Sequence, residues 1–303
     1  MPRPRKRFGQ HWLKDSSVHR AMVEASGLNL DVMAGRAALP EDSPCVVEIG
    51  PGTGKLSRRL LAAGAQVLAY ELDRDLCTVL RKNLGAEERF TLIEGDFLRQ
   101  PLPEEGQLVV ANIPYNITSP ILDKVLGTPE APVQQFSTIV LLVQKEIADR
   151  LCAEVGTKAY GAMSVRVQFL AECEILRTVS RKAFQPPPKV ESAIIRLSPR
   201  QHEAVPTDAR WLSVLIRQGF ATRRKTLGNA LQSLADKQAV YDALETIGHP
   251  PLSRAEALSV SDWVALSNTL VPSNASVPAS SATAPESASS VVPYESVSSS
   301  SQP

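Results

Sequence analysis

Between about residues 43 and 200, short apolar runs alternate with segments whose apolar residues recur at helical spacing. The apolar runs predict seven strands, near residues 45–49, 66–71, 90–94, 107–111, 138–143, 169–177 and 190–197. Helices fit most of the gaps, for example one from Thr53 to Ala63 that ends at Gly64. Strands that alternate with helices predict an α/β fold with a mainly parallel, doubly wound sheet. Because little helix separates the last two strands, an antiparallel edge pair is expected there.

Beyond residue 200 the spacing of apolar residues is helical throughout. One apolar stripe runs through Trp211, Leu215 and Phe220, and another runs through Val240 and Leu244. This pattern predicts a small, all-α C-terminal domain.

The chain therefore divides into four predicted parts. A basic N-terminal segment with the first helix (1–42) precedes the α/β domain (43–200) and the helical domain (201–270). The remaining residues (271–303) are largely Ser, Pro and Ala with almost no charge. Such a segment cannot bury enough apolar surface to offset its chain entropy, so a disordered tail is predicted.

Composition narrows the class of protein. The 303 residues are 43% hydrophobic and 21% charged, which is typical of a globular chain large enough for two domains. Four cysteines without a CxxC pair argue against a zinc site or a disulfide framework and fit a reducing compartment. No apolar run could span a bilayer, and the N-terminus lacks the apolar stretch of a secretory signal. The expected protein is a cytoplasmic monomer with no metal and no membrane partner.

The charge is near neutral overall, at +1, but is unevenly distributed. Two stretches carry five basic residues each and no acid, residues 3–14 and the interval between Asp208 and Asp236. The second includes the run Arg223, Arg224 and Lys225. Either stretch alone is more typical of a solvated surface, but together they favour a polyanionic partner such as RNA.

The first strand leads into a glycine-rich turn, "CVVEIGPGTGKL", that begins at Gly50. The third glycine of a dinucleotide fingerprint is replaced by Lys55, and no phosphate-binding GxxxxGK[ST] loop is present. Glu71 ends the second strand, where an acid commonly holds ribose hydroxyls, and Asp96 follows the third strand. These strand ends are expected to meet in one crevice, unless the two acids are ordinary surface residues. The combination favours S-adenosylmethionine (SAM) over NAD or ATP as the cofactor.

The stretch "ANIPYNITSP" ends the fourth strand with Asn112, Pro114 and Tyr115. A structural turn would explain it, because the residue before a proline is pushed towards extended geometry. It also resembles the motif of class I SAM-dependent methyltransferases that act on planar amino groups. In that chemistry an amide oxygen accepts the N–H hydrogens of the amine and stabilises the growing positive charge, while an aromatic ring stacks on the base.

Two further stretches narrow the resemblance: "RKRFGQHWL" at residues 5–13 and "FQPPPKVESAIIRL" at residues 184–197. With "NIPYNITSPI" they resemble the ribosomal RNA adenine dimethyltransferases over about residues 5–270, most closely the branch that acts on the small subunit. The resemblance implies a class I SAM-dependent methyltransferase fold, Rossmann-like with a seven-stranded sheet, and a C-terminal domain that contacts RNA. It further implies dimethylation of N6 on two adjacent adenines near the 3′ end of 16S rRNA, within the small subunit or its precursor, as part of ribosome biogenesis.

The resemblance also implies roles for particular residues. The residues that match the family's cofactor contacts are His11, Leu13, Gly50, Glu71, Asp96 and Asn112. The residues that match its catalytic positions are Asn112, Tyr115 and Phe184, with Phe184 expected to sandwich the target base against Tyr115. Trp12 stands where the family usually has Phe, and little consequence is expected.

Two alternatives remain open. The same chemistry could serve another planar amine, either an adenine of large-subunit rRNA or a glutamine amide of a protein. The basic run in the helical region favours RNA over protein, and the "FQPPPKVESA" stretch favours the small-subunit branch. The chain could instead be a mainly non-catalytic ribosome assembly factor, although the intact set of Glu71, Asp96 and Asn112 argues against a dead site.

Overall fold

A seven-stranded sheet forms the centre of residues 10–271, the part of the chain that this computed structural model describes. Its strands are β1 (Cys45–Ile49), β2 (Gln66–Glu71), β3 (Phe90–Glu94), β4 (Leu108–Asn112), β5 (Thr138–Gln144), β6 (Ala171–Val179) and β7 (Ser192–Pro199). The strand order is β3-β2-β1-β4-β5-β7-β6. The first five strands are parallel, whereas β7 runs antiparallel to both β5 and β6. The predicted α/β sheet and its antiparallel edge pair are confirmed.

The predicted strand boundaries agree with the observed ones to within two residues. The fourth strand extends to Asn112, so this residue still belongs to the ladder. The helix predicted from Thr53 begins at Lys55, because Gly54 has a left-handed backbone, with φ of +79°, that no regular helix contains. The apolar pattern locates the strands well since both faces of each central strand are buried.

Eleven helices lie among the described residues. They are α1 (Ser16–Ala25), α2 (Leu30–Met33), α3 (Lys55–Ala62), α4 (Arg74–Leu84), α5 (Thr118–Leu126), α6 (Lys145–Leu151), α7 (Ala162–Leu170), α8 (Ala209–Phe220), α9 (Leu227–Ala230), α10 (Lys237–Thr246) and α11 (Val260–Thr269). Because successive strand residues point to opposite faces, Val46 packs with α1 and α3 while Val47 packs with α5. The sheet is therefore covered on both sides.

The helical region from α8 to α11 has its own apolar core, built around Trp211 and Trp263. Tyr160 and Val165, from α7 and the loop before it, also belong to this core. The described residues consequently pack as one unit across the predicted boundary near residue 200. All of the predicted tail (271–303) except residue 271, and the basic residues at positions 3–7, lie outside the described residues.

A two-residue ladder holds the N-terminal stretch over the carboxyl end of the sheet. Trp12 pairs with Gln185 and Leu13 pairs with Phe184, in antiparallel register. This pairing joins two of the motifs identified in the sequence, whose paired residues are 171 and 173 positions apart, and it positions residues 10–13 above the glycine-rich turn. No helix among residues 10–271 is long and apolar enough to cross a membrane.

Candidate active site

A cavity of about 300 Å³ opens at the carboxyl ends of β1, β2 and β4. Its wall combines the N-terminal stretch, the glycine-rich turn, the ends of the second and third strands, and the turn that follows Asn112. Of the predicted cofactor contacts, the cavity is lined by His11, Leu13, Gly50, Glu71, Asp96 and Asn112. All six therefore come together, as the convergence of parallel strand ends requires.

The glycine-rich turn leaves room for a ligand at one glycine and a close packing contact at another. Gly50, Gly52 and Gly54 all have positive φ, at +67°, +59° and +79°. A Cβ on Gly54 would lie 3.0 Å from both Leu80 and Leu84 of α4, so this glycine allows α3 and α4 to approach. A Cβ on Gly50 would meet nothing within 4 Å, which leaves its backbone open towards the cavity.

Glu71 connects the end of β2 to the glycine-rich turn. Its two carboxylate oxygens accept hydrogen bonds from the backbone N–H of Gly52 (3.1 Å) and of Asp73 (2.9 Å). Burial raises the pKa of the carboxyl, and these two hydrogen bonds partly offset that rise. Each carboxylate oxygen can accept a second hydrogen bond, so the side chain keeps acceptors for ligand hydroxyls.

Asp96 lies at the end of β3, where it begins a short 3₁₀ turn. One carboxylate oxygen accepts the backbone N–H of Leu98 at 3.0 Å, and the other lies 3.7 Å from Nε of Arg99. This local bonding orients the acid in the cavity wall, where its remaining acceptor sites are available for an exocyclic amine.

Asn112 presents one acceptor to the cavity. Its Nδ2 donates to the backbone carbonyl of His11 at 3.4 Å. A carbonyl oxygen only accepts, so this contact determines which end of the amide faces His11. The carbonyl oxygen Oδ1 of Asn112 is therefore free of this contact and can accept a hydrogen bond from a substrate amine.

Tyr115 is held on two sides. Its hydroxyl lies 2.6 Å from Oγ of Ser192, and its ring stacks on the imidazole of His11 with centroids 5.8 Å apart and an interplanar angle of 22°. Burial raises the pKa of Tyr115, which the Ser192 bond partly offsets. Nδ1 of His11 in turn donates to the carbonyl of Pro186 at 2.9 Å. The three sequence motifs therefore contribute jointly to the position of this ring.

Phe184 requires a correction. The structure does not bring its side chain into the cavity: the residue is 1% exposed and packs in the aliphatic core that includes Leu13 and Val18. The Phe184 side chain therefore does not lie in the cavity wall opposite Tyr115, where the sequence places it. His11 is the ring that faces Tyr115 instead.

Sequence reasoning also missed an acid in the cavity wall. Glu48 of β1 is 1% exposed, and its Oε2 has no hydrogen-bond partner among residues 10–271. Burial, with a smaller contribution from the charge of Glu71, raises the pKa of Glu48 to about 8. The sequence did carry a signal for it, an acid within the otherwise apolar strand "CVVEI". Because both faces of a parallel sheet are covered, a residue on either face of a central strand is buried.

His19 of α1 is a second buried titratable group at this cavity. Burial, together with the positive charges of Arg59 and Lys55, lowers its pKa to about 4. The imidazole is therefore neutral at physiological pH.

We expect the cofactor-free protein to lose stability between pH 6.5 and 8. Above the ordinary pKa of 4.5, folded Glu48 keeps a proton that the unfolded chain has lost, so its contribution falls until pH passes about 8. The contribution of His19 to stability changes with pH in the opposite direction, because its pKa is lowered. It rises with pH and no longer changes above about pH 6.5. The net fall is about 1–2 kcal/mol in the free energy of unfolding, measurable by chemical denaturation at several pH values.

The substitution Glu48→Gln should abolish this fall. Glu94→Gln is the matched control, because Glu94 is the last residue of β3 and pairs with Arg81 on the surface. A fall of equal size in wild type and Glu48→Gln would contradict a neutral Glu48.

The chain matches one known protein family over most of its length. A model of the ribosomal RNA adenine dimethylase family matches residues 1–271. A relative from Synechococcus sp. (strain JA-3-3Ab), named ribosomal RNA small subunit methyltransferase A, is 56% identical over 269 residues, which are 88% of this chain and 93% of the relative. A relative of the same name from Synechocystis sp. (strain ATCC 27184 / PCC 6803 / Kazusa) is 50% identical over 276 residues, covering 88% and 96%.

Two solved structures share the fold over most of the chain. A dimethyladenosine transferase from Plasmodium falciparum is similar at a TM-score of 0.70 and 26% identity, covering 84% of this chain and 96% of that one. The 23S rRNA methyltransferase ErmE is similar at a TM-score of 0.65 and 26% identity, covering 86% and 99%. The similarity therefore extends through the sheet and the helical region alike.

Proposed function

The chain belongs to the ribosomal RNA adenine dimethylase family, and from this premise we propose that it dimethylates N6 of two adjacent adenines near the 3′ end of 16S rRNA. SAM is the methyl donor, and the RNA is bound within the small subunit or its precursor. The observation that carries the proposal is the Asn112 amide, which lines the cavity together with Tyr115 and whose oxygen is not engaged by the His11 carbonyl. An rRNA substrate in turn supports the cytoplasm as the protein's location.

The cavity residues fit SAM on two observations. Glu71 keeps acceptor sites for ribose hydroxyls, and the backbone at Gly50 is open to a ligand. His11, Leu13, Asp96 and Asn112 complete the proposed contacts. When bound, SAM supplies an electrophilic methyl group on a sulfonium centre.

The residues of the chain would direct the attacking amine. The lone pair of an adenine amine is delocalised into the ring, so the nitrogen must pyramidalise before it attacks. Oδ1 of Asn112 accepts one N–H of the amine, which aims the lone pair and stabilises the positive charge that develops on nitrogen. Stacking on Tyr115 would return about 1–3 kcal/mol of the cost of taking the base out of its stack.

Transfer of two methyl groups to one nitrogen adds a constraint. After the first transfer only one N–H remains on the amine. Because one N–H of the Asn112 amide donates to the carbonyl of His11, Oδ1 is the end of the amide that can accept from the substrate. A site that depends on one accepted hydrogen bond is suited to both transfers.

We propose that the helical region, residues 201–270, contacts the RNA through part of its basic run. Arg223 donates to the carbonyl of Lys158 at 2.6 Å and pairs with Glu256 at 3.4 Å, so it has a structural role. Arg224 and Lys225 are exposed, and neither side chain forms a hydrogen bond or an ion pair with another residue of the 10–271 range.

Replacing both Arg224 and Lys225 with alanine should weaken RNA binding. The slope of the logarithm of the binding constant against the logarithm of the salt concentration should become less negative by about 1–2. The measurement is a titration of small-subunit RNA at several salt concentrations. The matched control changes Arg20 and Lys82, which are exposed on α1 and α4. An unchanged slope in the first variant would make this run an ordinary solvated surface.

The substrate assignment is tested with SAM that carries a labelled methyl group. Unmethylated small subunits, large subunits and naked rRNA are offered in parallel. Label in small-subunit RNA is expected. Label confined to large-subunit RNA would indicate a 23S rRNA substrate, as named for ErmE. Label in protein would indicate a glutamine amide. SAM binding without any transfer would favour a non-catalytic assembly factor.

A further inference from the structure

Glu48 is an acid in the cavity wall that the proposed methyl transfer leaves without a role. It is the fourth residue of β1 and is flanked by the buried Val47 and Ile49. Its Oε2 is shielded from solvent and has no partner among the described residues. A buried carboxylate with no cation beside it is costly, and the hydrogen bonds from Ser57 offset only part of that cost, so the group is expected to stay neutral until an opposite charge arrives.

The charged groups around Glu48 do not supply that opposite charge. Glu71, on the neighbouring β2, is an acid and raises the pKa of Glu48 further, while Ser57 of α3 offsets only part of the effect. Lys55 and Arg59, also on α3, act on His19 of α1 and lower its pKa.

His19 cannot serve as the cation either. Its pKa of about 4 leaves the ring uncharged near neutral pH. The remaining acid on this side is Asp73, at the start of α4, which is buried and whose charge raises the pKa of Glu71. Lys55 lines the same cavity, but no cation among residues 10–271 lowers the pKa of Glu48.

The proposed cofactor would change this balance. SAM carries a sulfonium charge, and its demethylated product, S-adenosylhomocysteine, does not. Three acids, Glu48, Glu71 and Asp96, line the cavity. In a site of low dielectric, a cation close to a carboxyl group strongly favours its ionised form.

We propose that Glu48 is an ionisable counter-ion for the cofactor, neutral in the free protein and ionised when SAM occupies the cavity. The carboxyl proton is released to solvent as SAM binds and is taken up again after the methyl group and its charge have left. The proposal rests on SAM as the cofactor. It also gives a reason for the product to dissociate, because the ion pair between the Glu48 carboxylate and the sulfonium is lost at each turnover.

The test is isothermal titration of SAM into the full chain at pH 7, in phosphate and in Tris, which differ in ionisation enthalpy. With a starting pKa of about 8, close to 0.9 proton should be released per SAM bound. The Kd for SAM should tighten nearly tenfold between pH 6 and pH 7. Glu48→Gln should lower the proton release by that amount and flatten the pH dependence, whereas the control Glu94→Gln should retain both.

Equal proton release in wild type and Glu48→Gln would overturn the proposal, while leaving SAM binding itself intact. Failure of the wild-type protein to bind SAM at all would overturn the proposed function and this inference together.

Infrared difference spectroscopy of the wild-type protein provides a second readout that needs no variant. The band of a protonated carboxyl group should disappear when SAM binds and should persist with S-adenosylhomocysteine. A band that persists in both cases, or a protein in which no such band exists, would contradict the proposal even if Glu48→Gln did not fold.

Discussion

Replacing Asn112 with alanine should lower the rate of methyl transfer by about 10²–10³-fold, the range seen when one group that stabilises transition-state charge is removed. Asn112 and Tyr115 both line the cavity, and the contact of Nδ2 with the His11 carbonyl leaves Oδ1 available as an acceptor. Its loss removes the acceptor that aims the amine, while the cofactor contacts of Glu71 and Asp96 remain. SAM affinity should therefore fall by less than tenfold. Single-turnover transfer and equilibrium SAM binding, measured on the same preparation, separate the two effects.

Two companion variants sharpen this result. Asn112→Asp keeps oxygen acceptors in place but loses the donor to the His11 carbonyl, so it should retain more activity than Asn112→Ala. Asn83→Ala changes an exposed asparagine on α4 and should leave transfer unchanged. If Asn112→Ala lost SAM binding and transfer to the same extent, Asn112 would be mainly a cofactor contact.

Replacing Glu71 with alanine should weaken SAM binding by about 10- to 150-fold, which corresponds to about 1.5–3 kcal/mol for hydrogen bonds to a charged group. The carboxylate offers acceptors at the end of β2 and also holds the N–H of Gly52 at 3.1 Å. Both the ligand contact and the shape of the glycine-rich turn are therefore affected. Equilibrium dialysis with labelled SAM gives the Kd directly.

Glu71→Gln separates these two contributions, because one amide oxygen can still accept the Gly52 N–H while the negative charge is lost. Its affinity should lie between those of wild type and Glu71→Ala. Glu94→Ala, at the end of β3 and outside the cavity wall, should bind SAM as wild type does. Unchanged affinity in Glu71→Ala would refute the assignment of the ribose contact.

The strands of the sheet could be predicted closely because each strand is marked by residues that are adjacent in the sequence. Central strands buried on both faces appear in the sequence as continuous apolar runs, such as "CVVEI" and "LVVAN", and their ends carry Glu71, Asp96 and Asn112 to the same edge. The glycine-rich turn and the proline after Asn112 mark where those strands stop. The side chains that converge there were therefore identified correctly from the sequence as neighbours.

The orientation of side chains fixed by distant contacts could not be predicted. Phe184 pairs with Leu13 and packs in the core, and Tyr115 stacks on His11, although each pair is far apart in the sequence. Arg223 appears in the sequence as one of three equivalent basic residues, but its pairing with Glu256 distinguishes it. The apolar strand around Glu48 indicates its burial, but its position in the cavity wall depends on residues that are distant in the sequence.

The most direct test of the central claim is the identity of the methylated nucleoside. Small subunits that lack the modification are incubated with the protein and SAM, and the 16S rRNA is digested to nucleosides for mass spectrometry. The account predicts N6,N6-dimethyladenosine at about two residues per subunit with wild type, and little or none with Asn112→Ala. A wild-type product that contains only monomethyladenosine, a methylated base other than adenine, or no methylated nucleoside would contradict it.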